Sequence, residues 1–369
     1  MNAAHKGRTP GDLDAARILE TVEPLCQLSG PSGHEAPVRA HLEQVWTGLG
    51  LEPATDRIGN LLARVGGSGP RVLLTAHMDE IGFTVRHITD DGFLFLDSGQ
   101  GGRRDAPERR FMIGQRANVL GRDQEIVACG AIASPSGHVI TPTRLEEPVT
   151  LSDVFVDLGA ESREEVEASG VHIGSPVVWD APTRVLGNRL TSKALDDRLL
   201  LAVIVLLLET LDLGRLTCEL WVGGTVQEEN HSHGARAVAA REQFDAVLAL
   251  DVTLAGDIPA FDRTAVDSRL GQGPVVVHQD HLVAYDQTLA WSVIDAGRAA
   301  GVPVQQGSFH NFATDGYAFV DAGLTTVAVG PPARYTHTAI ECVDVRDVAN
   351  TVRLLDAFVT TSQRPDQVQ

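Results

Sequence analysis

The chain has 369 residues, 43% hydrophobic and 21% charged, enough to build a full core without disulfides or a structural metal. Its formal net charge of -19 argues against a nucleic-acid-binding or anionic-membrane surface. Cys26, Cys129, Cys218 and Cys342 show no CxxC spacing, which excludes a zinc-finger or disulfide framework and suits a reducing cytoplasm.

Residues 1–12 are polar, lack the apolar core of a signal peptide and read as a disordered leader. Leu13 to Leu28 and Glu35 to Leu49 carry helical periodicity, separated by the turn-rich Ser29-Gly30-Pro31-Ser32-Gly33. Strands are expected at Asn60–Val65 and Arg71–Ala76. The second is continuously apolar, as in a buried parallel sheet, and delivers His77-Met78-Asp79-Glu80. From about residue 85 to 181 the texture changes to short alternating segments (93–96, 116–120, 126–132, 154–156), which predicts a small β-rich insert. Within it, Ser162 to Ser169 reads as one helix, with Ser162 as N-cap and Glu165 at the capping-box position.

Next comes Asp196, at the N-terminal mouth of an apolar helix predicted over Leu199–Leu213. The apolar run Leu199–Leu208 is too short to span a bilayer. Strands at Cys218–Val226, Ala246–Leu250, Pro274–His278 and Thr325–Gly330 then alternate with helices at Ala235–Phe244, Leu289–Ala300 and Val345–Thr360. The polar tail from Thr361 to Gln369 is expected to fray. Alternating strands and helices imply an α/β fold, a sheet covered by helices on both faces. The predicted organisation is a catalytic domain in two parts, 1–84 and 182–369, split by the β-rich insert 85–181.

The strand ends carry the chemistry. RVLLTA ends in His77; LWVGGTV ends in the adjacent pair Glu228 and Glu229; AVLAL ends in Asp251; and the strand at 325–330 runs on to His337. An isolated His or Glu pair is ordinarily structural, and a carboxylate such as Asp196 is a common helix cap. As a set in one topology they predict a metal site, because ligands of open α/β sheets bind beyond the carboxyl ends of the strands. Mixed imidazole and carboxylate donors suit Zn, Co or Mn better than Ca or Mg. His77, Asp196, Glu229, Asp251 and His337 are too many for one catalytic zinc and fit two divalent ions sharing a bridging carboxylate. Adjacent residues at a strand end point apart, so Glu228 is left free beside the metals, as the general base of a hydrolase would be. Asp79, two residues beyond His77, is placed to orient its imidazole.

In this order the residues resemble the co-catalytic metallo-aminopeptidases, a family that includes tetrahedral, glutamyl and deblocking aminopeptidases. The likeness runs through LSGPSGHE (28–35), AHMDEIGF (76–83), DLGAESREEVEASGVHIGSPVV (157–178), KALDDR (193–198), TVQEE (225–229), ALDVTLAGD (249–257), LGQGPVV (270–276) and GPPARYTHTAIE (330–341). The resemblance implies a zinc-exopeptidase-like three-layer mixed sheet and a cytoplasmic aminopeptidase that removes N-terminal residues from short peptides. It further implies that His77 and Asp251 hold one metal, Glu229 and His337 the other, with Asp196 bridging, Glu228 as base and Asp79 supporting His77. The insert is then a lid and oligomer-contact domain of a homo-oligomer, a tetrahedral dodecamer in many family members.

The alternatives are a metal-dependent deacylase or amidase acting on a small metabolite, and a non-catalytic metal-binding relative. Departures from the family pattern fall around the site. Asn230-His231-Ser232-His233 follows the Glu pair where a small apolar residue and Gly are usual, and Leu199-Leu200 replaces an early helix Gly. His231 and His233 read as solvated loop residues; His310, Thr314 and Asp315 are candidates either for the substrate pocket or for buried polar structure.

Overall fold

The computed structural model describes residues 9–98, 109–135, 138–139, 147, 149–259 and 262–361. The leader and tail expectations therefore fall largely outside the described residues. Where the leader is described, Pro10–Asp12 forms a single 3-10 turn boxed between Thr9 and Asp12.

The architecture is a three-layer α/β fold around an eight-stranded mixed sheet. Its strand order is 54–55, 61–66, 219–225, 71–77, 246–250, 326–330, 275–279, 305–308. Four central strands (219–225, 71–77, 246–250, 326–330) run parallel to their neighbours, whereas 61–66 and 275–279 join them antiparallel. The central strands are Val-, Leu- and Ala-rich and buried on both faces, as parallel pairing beneath two helical layers requires.

Alternation along strand 71–77 divides the core. Val72, Leu74 and Ala76 join the larger cluster, built with helices 15–27, 36–48, 195–210, 287–299 and 345–360. Leu73 points to the opposite face, against Ala235 and Val238 of helix 233–239 and Ala318 and Phe319 of helix 316–321. At the antiparallel edge, Gly67 must remain glycine, because its φ is 75° and an added Cβ would lie 2.0 Å from the Cys218 carbonyl oxygen.

Between strands 71–77 and 219–225, the third and fourth of the large sheet in sequence, the chain leaves to build a closed six-stranded barrel. Its order is 83–88, 94–98, 155–157, 126–133, 116–120, 176–179, around Val85, Leu96, Val119, Val156 and Trp179. The barrel has its own apolar core, with Phe83 meeting Trp179 edge-on. Helix 163–168 packs on it, with the Ser162 side chain accepting from the Glu165 amide as its spacing predicts.

Element ends differ from the sequence pattern in instructive ways. The helix expected over 235–244 is His233–Ala239, cut short by turns that return Phe244 to the core. The helix expected from Leu199 lies within Leu195–Thr210, where Asp196 and Asp197 keep non-helical dihedrals, so its continuous turns start after this kink and close to the expected residue. The Asp196 carboxylate does not cap them; it is turned toward His77 and His337. Leu199 and Leu200 are fully buried in the main core, which accounts for large apolar residues at the start of this helix.

Two predictions follow from packing. Phe358 is 1% exposed in helix 345–360, so Phe358→Ala should lower unfolding free energy by about 3–5 kcal/mol in denaturant titration. Burial pushes the Cys26 thiol up to about 12 and Cys218 up to about 11, and raises Cys342. Cys129 alone is exposed, so a thiol reagent at pH 8 should label Cys129 promptly and the other three only after denaturation.

Candidate metal centre

The carboxyl ends of the four parallel strands converge on one place. His77 is the last residue of its strand and Asp251 follows strand 246–250 directly. Strand 219–225 stops at Thr225, so Glu228 and Glu229 stand on the turn beyond it, after Gln227 at φ 56°. Because they stand on a turn and not on the pleated strand, the two carboxylates do not point apart as the strand end would have them: an oxygen of each lies within 4.8 Å of the other and of a ring nitrogen of His77. His337 lies on the loop after strand 326–330, itself at φ 62°.

Asp196 sits between the two imidazoles. Its Oδ1 is 3.1 Å from His77 Nε2, and its Oδ2 is 3.4 Å from His337 Nε2. His337 Nε2 is also 3.0 Å from Glu229 Oε1, and Glu228 Oε2 approaches His77 Nε2 at 4.0 Å. Among the described residues, three groups of donor atoms lie close enough to hold an ion: His77, Asp196 and Asp251; Asp196, Glu229 and His337; and His77, Glu228 and Glu229. The structure thus brings all seven site residues expected from the sequence into one neighbourhood.

A surrounding layer of acids holds this arrangement by its backbone. Asp79 Oδ1 accepts from the Glu228 amide at 2.9 Å, and its Oδ2 from the Glu229 amide at 3.2 Å and from Ser32 Oγ at 2.5 Å. The ring of His77 finds the Asp79 carbonyl oxygen at 3.0 Å, nearer than the Asp79 carboxylate at 3.4 Å. Asp197 accepts from the His77 amide, Glu35 from the amides of Gly33 and Gln227, and Glu341 from those of Asp196 and His337. Sequence reasoning did not single out Asp197, Glu35 or Glu341, although each lies inside a string quoted for the resemblance. Each accepts from an amide distant in sequence (His77 for Asp197, Gln227 for Glu35, Asp196 for Glu341), which no spacing rule reveals.

Two further contacts fix the supporting loops. Lys193 Nζ lies 2.8 Å from Glu80 Oε2, and Arg198 donates to the carbonyls of Leu25, Leu28 and Gly30, so the 28–33 turn is tied to the helix entrance. Arg334 grips Asp257 through two nitrogens at 2.8 and 2.6 Å, anchoring the loop that carries His337.

The electrostatics are those of a surplus of buried negative charge. Burial first, then the Asp197 and Asp196 charges, pushes Asp251 well above the carboxylate range. Burial likewise pushes Glu228 well up, against the pull of His77. Asp196 goes the other way: burial opposes it, but hydrogen bonding to His337 and His77 holds it well below its ordinary value. Burial disfavours the His77 imidazolium, yet Asp196 and Asp79 outweigh this and raise its pKa. Asp197 Oδ1 is buried with no hydrogen-bond partner. Two imidazoles cannot balance this many carboxylates in a medium of low dielectric; divalent cations would. The donor set, imidazole plus carboxylate, fits zinc-like ions.

The remaining candidates are placed as follows. His231 and His233 are exposed, their rings 6.2 Å apart, and neither belongs to a metal-competent group among the described residues. His310 is exposed. Thr314 is buried against Tyr285 Oη at 3.0 Å, and Asp315 is buried and accepts from Thr225 Oγ1.

A parallel-sheet crevice with a buried carboxylate shared by two imidazoles, and a further glutamate beside them, defines a metal-dependent hydrolase. The chain belongs to the M42 glutamyl aminopeptidase family, whose model matches residues 59–354, and is a metal-dependent aminopeptidase. It is 32% identical over 346 residues to the putative aminopeptidase FrvX of Escherichia coli, covering 93% of this chain and 95% of that protein. Among solved structures it is similar to a TET aminopeptidase from the marine sediment archaeon Thaumarchaeota archaeon SCGC AB-539-E09. There the identity is 29% and the TM-score 0.89, with 96% of this chain and 98% of that one covered. It is also similar to the TET1 peptidase of Pyrococcus horikoshii, described as assembling into a tetrahedron or a large octahedral shell. That match has 27% identity and a TM-score of 0.83, over 93% of this chain and 99% of that one. No helix among the described residues is long and apolar enough to cross a membrane.

Gly330 provides a test of how tightly the centre is built. A Cβ there would lie 1.7 Å from the Asp251 carbonyl oxygen, so Gly330→Ala must displace the backbone that carries Asp251. The substitution should lower kcat/KM by about 10²-fold, the loss expected for a misplacement near 1 Å, while circular dichroism stays close to the parent's.

Proposed function

We propose that the chain is a two-metal exopeptidase that removes N-terminal residues from short peptides. His77, Asp196 and Asp251 would hold one divalent ion, and Asp196, Glu229 and His337 the other, with Asp196 shared. The observation that carries this is the bidirectional contact of Asp196, one oxygen toward each imidazole. When bound, such a pair supplies Lewis acidity to a carbonyl and lowers the pKa of water; Zn, Co and Mn all suit the donors.

The protein's own contribution is placement of the proton acceptor. Glu228 stands on the turn beside His77, with its amide held by Asp79, and takes the proton from the attacking water before passing it to the leaving amine. Asp79 holds both glutamate amides at once, which sets the base and the adjacent ligand Glu229 in a fixed relation. The barrel's strands run from 83–88 to 176–179, across the insert expected at 85–181. We further propose that this barrel makes the lid and subunit contacts of a homo-oligomer, of the dodecameric kind formed by its structural relatives. The acidic chain with no membrane-crossing helix among its described residues fits action in the cytoplasm.

Glu228→Gln keeps the shape of the side chain and removes its basicity. Turnover of aminoacyl substrates should fall by at least about 10²-fold, the scale of general base catalysis. Plasma mass spectrometry should still count two metals per chain. Full activity in this variant excludes Glu228 as the base, and activity that survives exhaustive chelation excludes the metal mechanism.

A further inference from the structure

Glu341 opens strand 341–344, which pairs antiparallel with strand 189–192 so that Glu341 lies opposite Ser192. This register carries its side chain between two loops that are far apart in sequence. Oε2 accepts from the Asp196 amide and Oε1 from the His337 amide, each at 2.9 Å. The residue is 2% exposed, and it takes no part in any of the three metal-competent groups. Both oxygens are therefore committed to backbone, and the backbone they hold belongs to two of the residues gathered around one pocket.

Those two backbones need holding. His337 has φ 62°, in the left-handed region that residues with a Cβ seldom adopt, and Ala194, two residues before Asp196, has φ 54°. A single rigid carboxyl group whose two oxygens each accept from one of these amides sets the span between them.

We propose that Glu341 is a positioning residue for the second cation, a role that rests on the two-metal reading above. It fixes the separation of Asp196 from His337, and so the width of the pocket formed by Asp196, Glu229 and His337. The pocket formed by His77, Asp196 and Asp251 depends on Glu341 through Asp196 alone. Loss of Glu341 thus acts unequally on the two ions, which a general destabilisation of the fold would not do.

The test is a cobalt(II) titration of the full-length, chelator-stripped protein, followed by calorimetry and by the visible absorption of the bound ion. The wild-type chain is compared with Glu341→Gln and Glu341→Asp. Glutamine keeps the shape but turns an NH2 toward one of the two amides; aspartate keeps the charge but is too short to reach both. Glu341→Gln should weaken one of the two equivalents by about tenfold or more, the scale seen for residues that orient ligands, and the other by less than about threefold. Glu341→Asp should fall between wild type and Glu341→Gln at the weakened equivalent. If Glu341→Gln does not fold, Glu341→Asp carries the measurement, with the same inequality expected. Equal weakening of both steps, or no change in either, overturns the proposal while leaving two metals in the wild type. A wild-type chain that takes up a single cobalt overturns the two-metal reading, and Glu341's role with it.

Discussion

The two oxygens of Asp196, each turned to a different imidazole, are the contact on which the rest of this structure depends. His77 reaches it from the middle of the sheet, His337 from a loop beyond a strand two places away in the sheet order. The two can meet one carboxylate only if the strands keep their parallel register and the helix entrance at 194–197 turns the Asp196 side chain inward. A helix-capping geometry at Asp196 would spend that carboxylate on its own amides.

Gathering acids in a low-dielectric crevice opposes folding, and the surrounding structure is arranged to offset it. Asp79, Asp197, Glu35 and Glu341 are not left as bare charges; each accepts from at least one backbone amide. Those bonds also immobilise the ligand-bearing loops, so the same acids that make the site electrostatically demanding make it geometrically stiff. Farther out, the Glu80–Lys193 pair and Arg198, all buried, fasten the 28–33 turn, whose Ser32 completes the environment of Asp79. The chain from core to site is continuous: apolar strands fix register, register fixes the ends, and carboxylates fix the loops.

The barrel stands apart energetically. Its apolar residues form their own cluster around Val85, Val119 and Trp179, separate from the core beneath the metal centre. Strand 83–88 leaves the sheet soon after His77, and the chain returns after strand 176–179 to approach Asp196. The barrel's entry at Phe83 comes six positions after His77, whereas its exit at Trp179 reaches Asp196 only through strands 184–186 and 189–192.

Much of this was legible in the residues alone. Continuous apolar strands ending in His77 and Asp251, a glutamate pair after LWVGGTV, and alternation with amphipathic helices were enough to give the layered sheet and the candidate donors gathered at its edge, because burial and period are local properties. Local pattern also marked the insert as a different kind of structure, through its short alternating segments. What it could not give was which amide each acid would meet. Glu341 and Asp196 are separated by most of a domain in sequence, and their contact exists only because strand 341–344 pairs with strand 189–192. The kink at Asp196 and Asp197, the turn that carries Glu228 and Glu229, and the left-handed backbone at His337 were equally hidden. Each is a conformation that local propensity disfavours and that neighbours distant in sequence impose. The chain thus determined by itself which donor side chains stand beyond its strands; their distances and their mutual support were decided only when the strands had paired.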